Sequence, residues 1–293
     1  MMLKKFEYTD ILGWSVSRYD VFRLCRRKYY YTYYAKYDPV HTRKKIDFLK
    51  NMTSIALEIG NIVHDMNKAI LERFRKSENP VDRKKFAGYV RNETDKYCRS
   101  KTFMEVYYKE IPEISIEEIY DKAMVSLSNF LNSPRFDWLL RKALVSKDRW
   151  VIEPPGYGET RIDGMKAYCK VDFLFPVEEK MYIMDWKTGK PDNDKHSRQL
   201  LGYASWAAYH FGTDPENIIP IIAYLSPEYR EIQIPITEAD IRDFSESVKS
   251  QTQEMYEFCI NISENIPKSK ELFTMTEHKI FCDYCNFREL CGK

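Results

Sequence analysis

Residues 170–190 read KVDFLFPVEEKMYIMDWKTGK, and the fold class turns on how this segment is interpreted. Two runs rich in β-branched and aromatic residues, 167–175 and 181–187, flank Pro176 to Lys180, so the pattern predicts two strands joined by a hairpin connection. Side chains alternate along a strand, which puts Asp185 and Lys187 on one face and Tyr182, Met184 and Trp186 on the other. Asp172 falls in the earlier, largely apolar run, where a carboxylate without a partner is costly. A divalent cation between the two carboxylates would satisfy both. Oxygen ligands suit Mg2+ or Mn2+, and such an ion polarises a phosphodiester and stabilises the charge of an in-line transition state. Lys187 would then orient the attacking water or steady that charge. The competing assignment is a plain ion-pair cluster of Asp172, Asp185 and Lys187, because Asp-x-Lys is a very short motif.

Downstream, a helix from about 195 to 211 carries Gln199 and Tyr203 four apart and therefore on one face. From there both could reach a DNA backbone, or simply lie at the surface. Strands near 218–225 and 230–236 precede a long helix expected to run from a capping box at Thr237 to Asp240 as far as about residue 264. Upstream, 148–153 reads as a strand, and 17–36 and 53–76 read as helices. The second of these repeats Ile55, Ile59, Ile62, Val63, Met66 and Ile70 at helical spacing and carries His64 in Gly60-Asn-Ile-Val-His64. Imidazole is a common metal ligand, although a lone histidine on an apolar helix is also an ordinary core residue. Residues 82–146 form a further helical region with a capping-box signal at Ser115 to Glu118 and no chemical motif.

At 293 residues, 44% hydrophobic and 31% charged, the chain is long enough to bury a sizeable core as one elaborated domain or two modest ones. Its net charge of +2 does not nominate a polyanionic partner. The first fifty residues nevertheless hold 12 Lys and Arg against 5 Asp and Glu, with Arg23, Arg26, Arg27 and Lys28 bunched together as either a solvated face or a phosphate-contacting patch. The 22 tyrosines suit stacking on nucleic acid as well as core packing. The N-terminal MMLKKFEYTDILGW lacks the apolar run of a signal peptide, and no stretch has the length of a membrane span, so a cytoplasmic protein without membrane contact is expected. In that reducing setting, organised cysteine spacing points to metal chemistry rather than disulfides. FCDYCNFRELC gives Cys282, Cys285 and Cys291, a C-x2-C-x5-C set with one ligand missing. Cys25 is the candidate fourth thiolate of a four-iron four-sulfur cluster, with zinc as the alternative. Cys98, Cys169 and Cys259 show no ligand spacing and are expected in the core.

In order and spacing these features resemble the RecB-like branch of the PD-(D/E)XK nuclease superfamily, including its CRISPR-associated exonucleases with a C-terminal iron–sulfur cluster. The pattern is a Gly-x-x-x-His helix, an Asp-bearing strand, a (D/E)-x-K strand and a Gln-x-x-x-Tyr helix. Here it falls on Gly60 to His64, on Asp172 in KVDFLF, on Asp185-Trp186-Lys187, and on Gln199 to Tyr203 in QLLGY. SVSRYDVFRLCRRKYYY and FCDYCNFRELC look like the two cluster-binding ends. Val171 and Arg26 stand where relatives often have proline. The resemblance implies an α/β, restriction-endonuclease-like core, a central mixed β-sheet flanked by helices, with a helical insertion and a cysteine-ligated cluster joining the termini. It divides the chain into 1–78 (N-terminal helical part), 79–147 (helical insertion), 148–236 (catalytic core) and 237–293 (C-terminal helix and cluster segment). It further implies that His64, Asp172, Asp185 and the Trp186 carbonyl hold Mg2+ or Mn2+, that Lys187 supports the nucleophile, and that Gln199 and Tyr203 touch DNA. The implied activity is hydrolysis of single-stranded DNA or DNA ends, exonuclease favoured over endonuclease, in a DNA-repair or CRISPR-type setting. With no Gly-x-x-x-x-Gly-Lys-Ser/Thr loop in the sequence, unwinding would need a helicase or another nuclease-complex subunit as partner. A function of a different class is a catalytically silent DNA-binding or scaffold subunit.

Overall fold

The periodic segment around His64 folds as one helix in the computed structural model of the protein, which describes residues 3–154 and 159–293. Ser54 starts that helix by accepting the Leu57 N–H, and its buried stripe is Ile59, Ile62, Val63, Met66 and Ile70, the face that the spacing predicts. Along the chain the helices are α1 (Val16–Leu24), α2 (Arg26–Tyr33), α3 (Arg43–Lys50), α4 (Ile55–Lys76), α5 (Arg83–Ser100), α6 (Met104–Tyr107), α7 (Ile116–Leu131), α8 (Pro134–Trp138), α9 (Asn193–Phe211), α10 (Glu238–Tyr256) and α11 (Ile280–Asp283). The strands are β1 (Val151–Ile152), β2 (Glu159–Ile162), β3 (Met165–Tyr168), β4 (Phe173–Val177), β5 (Lys180–Lys187), β6 (Ile218–Tyr224), β7 (Arg230–Gln233), β8 (Cys259–Asn261) and β9 (Ile266–Pro267). Among the described residues, no helix is long and apolar enough to cross a membrane.

The chain forms two compact units, the first comprising Met1–Lys4, Thr53–Gly158 and Cys169–Phe244. Its centre is a five-stranded mixed sheet ordered β1-β4-β5-β6-β7, antiparallel except where β5 runs parallel to β6. One face carries Phe173, Phe175, Met184 and Trp186 against Val63, Met66 and Ile70 of α4 and Leu127 and Phe130 of α7. The other carries Leu174, Ile183 and Ile222 against Leu200, Tyr203, Ala204 and Ala207 of α9. Each such aliphatic or aromatic side chain contributes about 1.5–3 kcal/mol by leaving water. This is an α/β arrangement, a mixed central sheet covered by helices, consistent with the restriction-endonuclease-like fold that the motif order implies.

The second unit comprises Lys5–Met52, Glu159–Tyr168 and Ser245–Lys293. Here β2 and β3 form a hairpin to which Trp14 adds an edge contact, accepting the Tyr168 N–H (2.8 Å) and donating to the Lys166 carbonyl (2.7 Å). Tyr29, Tyr30, Tyr31 and Tyr34 are buried with Phe22 against Phe273 and Phe287, so a good part of the tyrosine content is core. The basic bunch is likewise partly internal. Arg26 pairs with Glu254 at 3.0 Å, and Arg27 Nε donates to the Phe273 carbonyl at 2.9 Å.

Several boundaries differ from the sequence expectation. The 17–36 helix is two helices, because Cys25 is extended (φ −160°, ψ 109°) and its Sγ caps α2 by accepting the Lys28 N–H. The 167–175 strand divides into β3 and β4, leaving Asp172 just ahead of β4 rather than inside a strand. The 148–153 strand shrinks to two residues behind the 3-10 segment Leu144–Arg149. The last long helix starts at the expected box, with Thr237 N donating to Asp240 Oδ2 and Asp240 N to Thr237 Oγ1, but ends at Tyr256. The β-favouring Phe258-Cys-Ile-Asn then turns back through Asn265 (φ +51°) to pair β8 with β9.

Candidate metal centre

Strand β5 is the axis of the site. Its alternation sends Trp186 into the α4–α7 core and Asp185 toward α9, while the Trp186 backbone stays between the two faces. From the α4 side, His64 Nε2 lies 3.0 Å from the Trp186 carbonyl and Nδ1 lies 3.2 Å from Asp172 Oδ1. The other Asp172 oxygen accepts the Trp186 N–H at 2.9 Å, an additional bond that locks the carboxylate beside β5. On the α9 side, Asp185 Oδ1 accepts from Gln199 Nε2 (3.1 Å) and from the Tyr203 hydroxyl, and Gln199 also donates to Tyr203. The Lys187 ammonium contacts Asp185 Oδ2. Asp172, Asp185 and Tyr203 are 7%, 2% and 3% exposed. Polar groups this deep in an apolar core are tolerated because each has a partner.

The electrostatics follow from that geometry. Burial alone would lower the basicity of His64, but the Asp172 carboxylate in front of its ring raises its pKa to about 9. Both ring nitrogens face acceptors, so the metal-free ring carries two protons. Burial pushes against ionisation of Asp172, yet the imidazolium and the Trp186 N–H hold its pKa below the usual carboxylate range. Asp185 goes the other way, raised by burial and by the neighbouring Asp172 charge. The Tyr203 phenol is raised by burial and by Asp185, and remains a donor.

The structure brings His64, Asp172 and the Trp186 backbone together at the end of β5, and places Asp185 with Lys187 on its α9 side; among the described residues the ligand atoms within 4.8 Å of one another belong to His64, Glu153 and Asp172, not to Asp185. Gln199 and Tyr203 share the α9 face that is turned toward β5. Both are drawn onto Asp185, and the nearly inaccessible Tyr203 hydroxyl is spent on that carboxylate. Sequence reasoning also missed Glu153. Its carboxylate, a nitrogen of His64 and an oxygen of Asp172 all lie within 4.8 Å of one another, and its backbone N–H donates to the Asp172 carbonyl at 2.8 Å. No motif spacing links residue 153 to residues 64 or 172, so periodicity alone could not have found it. The donor set, one imidazole and several carboxylate oxygens converging from three segments, fits a hard divalent cation.

The four cysteines with ligand-like spacing belong to the second unit. Cys25, at the α1–α2 break, and Cys282, Cys285 and Cys291 are half-buried free thiols. The Cys291 thiol is pushed up to about 11 by burial and then by Cys285 and Cys25, while Cys285 is raised by burial with Cys25 and Cys282 adding to it, so the four thiols lie within electrostatic reach of one another. Their segments are tied by Arg27 N donating to the Thr274 carbonyl (3.0 Å) and Asn286 Nδ2 donating to the Leu49 carbonyl (2.8 Å). Cys98, Cys169 and Cys259 are buried, as expected.

A solved structure described as the crystal structure of SSO0001 is 18% identical, matched over 64% of this chain and 77% of that one, with a TM-score of 0.31. No curated protein matches. The family model described as the PD-(D/E)XK nuclease superfamily matches residues 13–292, which contain the His64, Asp172 and Asp185–Lys187 geometry as well as the four half-buried cysteines. The chain therefore belongs to the PD-(D/E)XK nuclease superfamily.

Proposed function

We propose that the protein is a RecB-like, metal-dependent deoxyribonuclease that hydrolyses phosphodiesters in single-stranded DNA or at DNA ends, acting as an exonuclease. The observation that carries this reading is the approach to β5 from both faces: His64 and Asp172 meet at the Trp186 backbone, and Asp185 is held beside Lys187 by Gln199 and Tyr203. His64, Asp172, Asp185 and the Trp186 carbonyl would hold Mg2+ or Mn2+. When bound, such a cation supplies Lewis-acid stabilisation of the charge that builds on the phosphoryl oxygens. Lys187, whose side chain is 22% exposed, orients the attacking water and steadies the same charge. Gln199 and Tyr203 are positioning residues that fix the Asp185 carboxylate. Cys25, Cys282, Cys285 and Cys291 would bind a four-iron four-sulfur cluster that secures the terminal segments. The protein works on DNA with a helicase or another nuclease subunit supplying any unwinding.

Labelled single-stranded and duplex DNA incubated with the protein tests this reading. Cleavage in Mg2+ or Mn2+ is expected, with a loss of roughly 100-fold or more in Asp185→Ala and Lys187→Ala. Cleavage at the same rate in these variants, or none by wild-type protein with either metal, overturns it. Iron and zinc analysis of anaerobically purified protein decides the cluster: about four iron atoms per chain are expected, and stoichiometric zinc instead would contradict that part of the proposal.

A further inference from the structure

Strand β6 lies between β5 and β7, and its last residue, Tyr224, pairs with Lys187 on one side and with Arg230 on the other. Register partners on neighbouring strands point to the same face, so Lys187, Tyr224 and Arg230 stand in one row at the end of the sheet, on the side that α9 covers. Tyr224 is buried and held from two directions. The Arg230 guanidinium lies over its ring, 5.3 Å from the centroid, and its hydroxyl meets Nδ1 of the buried His196 near the start of α9. That nitrogen also accepts the Asp192 N–H at 3.3 Å, and burial followed by the Lys187 charge lowers the basicity of the ring, so the imidazole is neutral and the hydroxyl donates to it. The charges of the row are unbalanced. Lys187 faces Asp185, whereas among the described residues Arg230 makes no ion pair. The next acid along β7, Glu231, points to the opposite face and is held by Arg135 at 2.7 and 2.8 Å and by Tyr229. Arg230 is exposed, and stacking on a fixed ring limits its freedom while leaving its N–H donors turned to solvent. An oriented guanidinium without an acid partner, in line with a lysine at the carboxyl ends of the two parallel strands, is suited to an anion.

We propose that Arg230, held on Tyr224 and His196, binds a backbone phosphate of the DNA strand next to the phosphodiester at Lys187. This rests on the nuclease reading and adds to it a substrate-contacting residue and the side on which the strand leaves the pocket, across β6 toward β7. Two strand spacings, roughly 9.5 Å, separate the Lys187 and Arg230 backbones. Both long side chains rise from the same face, so one DNA strand can touch both. The guanidinium fork meets two oxygens of a phosphate at once, which a lysine cannot do. Tyr224 and His196 are positioning residues: the hydroxyl-to-imidazole bond fixes the ring, and the ring fixes the guanidinium.

Fluorescence anisotropy of a labelled oligothymidylate with the full chain, in buffer free of divalent cations, tests this without any cleavage. Each phosphate contact on a single strand contributes about 0.7 to the slope of log affinity against log salt concentration. Arg230→Gln is expected to bind roughly tenfold more weakly and to flatten that slope by about 0.7. Arg230→Lys should keep the slope but not the affinity. Lys180→Gln, at the opposite end of β5, should leave both as in wild-type protein. Replacing the linkages one at a time by a neutral methylphosphonate should weaken wild-type binding at one position where Arg230→Gln loses nothing further. Equal slopes for wild-type protein and folded Arg230→Gln overturn the proposal, as does an equal fall in Lys180→Gln, and either result leaves the nuclease reading standing. Wild-type protein that binds no oligothymidylate overturns it too, and cleavage with Mg2+ or Mn2+ then decides the nuclease reading separately.

Discussion

Tyr203 shows how a single residue changes meaning between sequence and structure. Its spacing from Gln199 establishes only that the two share a helix face. Which way that face looks depends on the packing of α9 onto the sheet, where Leu200, Ala204 and Ala207 are buried and turn Tyr203 inward onto Asp185. Tyr203→Phe should therefore cost about 2 kcal/mol in urea unfolding, because a buried carboxylate loses a donor. It should also lower the cleavage rate while leaving DNA affinity unchanged; a rise in the DNA dissociation constant at unchanged rate would instead support a direct DNA contact. His64 makes a pH prediction for metal-free protein. Its folded pKa of about 9 lies above the ordinary 6.5, so the folded state holds the proton more tightly than the unfolded chain. The stabilisation is complete below about pH 6.5 and is lost as pH rises through about 9. The urea midpoint should fall across that window, and the fall should be smaller in His64→Gln. Mn2+ affinity should rise over the same range, since proton and cation compete for the ring. Asp185 and Lys187 were legible because the two-residue period of a strand fixes their common face. Glu153 was not, because its neighbours are set by topology.

Elements show the same division. Helix α4 and strand β5 followed from periodicity, since each keeps one pattern over many residues. The failures are local interruptions. Cys25 breaks a helical pattern because its thiol caps the next helix, and Asp172 leaves the strand because its carboxylate takes the Trp186 N–H. The β2–β3 hairpin did carry a signal: Asp163-Gly164, both at positive φ (46° and 76°), is the dipeptide favoured by a tight type I′ turn. Helix α4 also offers a test. A Cβ added at Gly60 would sit 3.5 Å from Thr188 Oγ1, an ordinary contact, so α4 has room for alanine beside the residue that follows Lys187. Gly60→Ala is expected to stabilise the protein by about 0.5–1 kcal/mol through helix propensity. A loss of stability in denaturant titration would mean that α4 sits closer to Thr188 than described. At Gly13 the opposite holds: a Cβ would come within 2.2 Å of the Tyr168 ring, so Gly13→Ala should destabilise the second unit.

At the scale of the whole chain, the two chemistries separate by unit: every residue of the cation pocket lies in the first, and all four half-buried cysteines lie in the second. On the proposed cluster assignment, Cys282→Ala should abolish iron binding and open segments 5–52 and 245–293 to limited proteolysis, because ligand binding is folding energy for the region it closes. Equal protease resistance in the iron-free variant would deny the cysteines that structural part. The central claim is that an imidazole and two carboxylates meeting at the Trp186 backbone hold a divalent cation. Anomalous diffraction from crystals soaked in Mn2+ tests it most directly. The account predicts manganese density bounded by His64, Asp172, Asp185 and the Trp186 carbonyl; a saturating soak that leaves this pocket without density while the crystal still diffracts would contradict it.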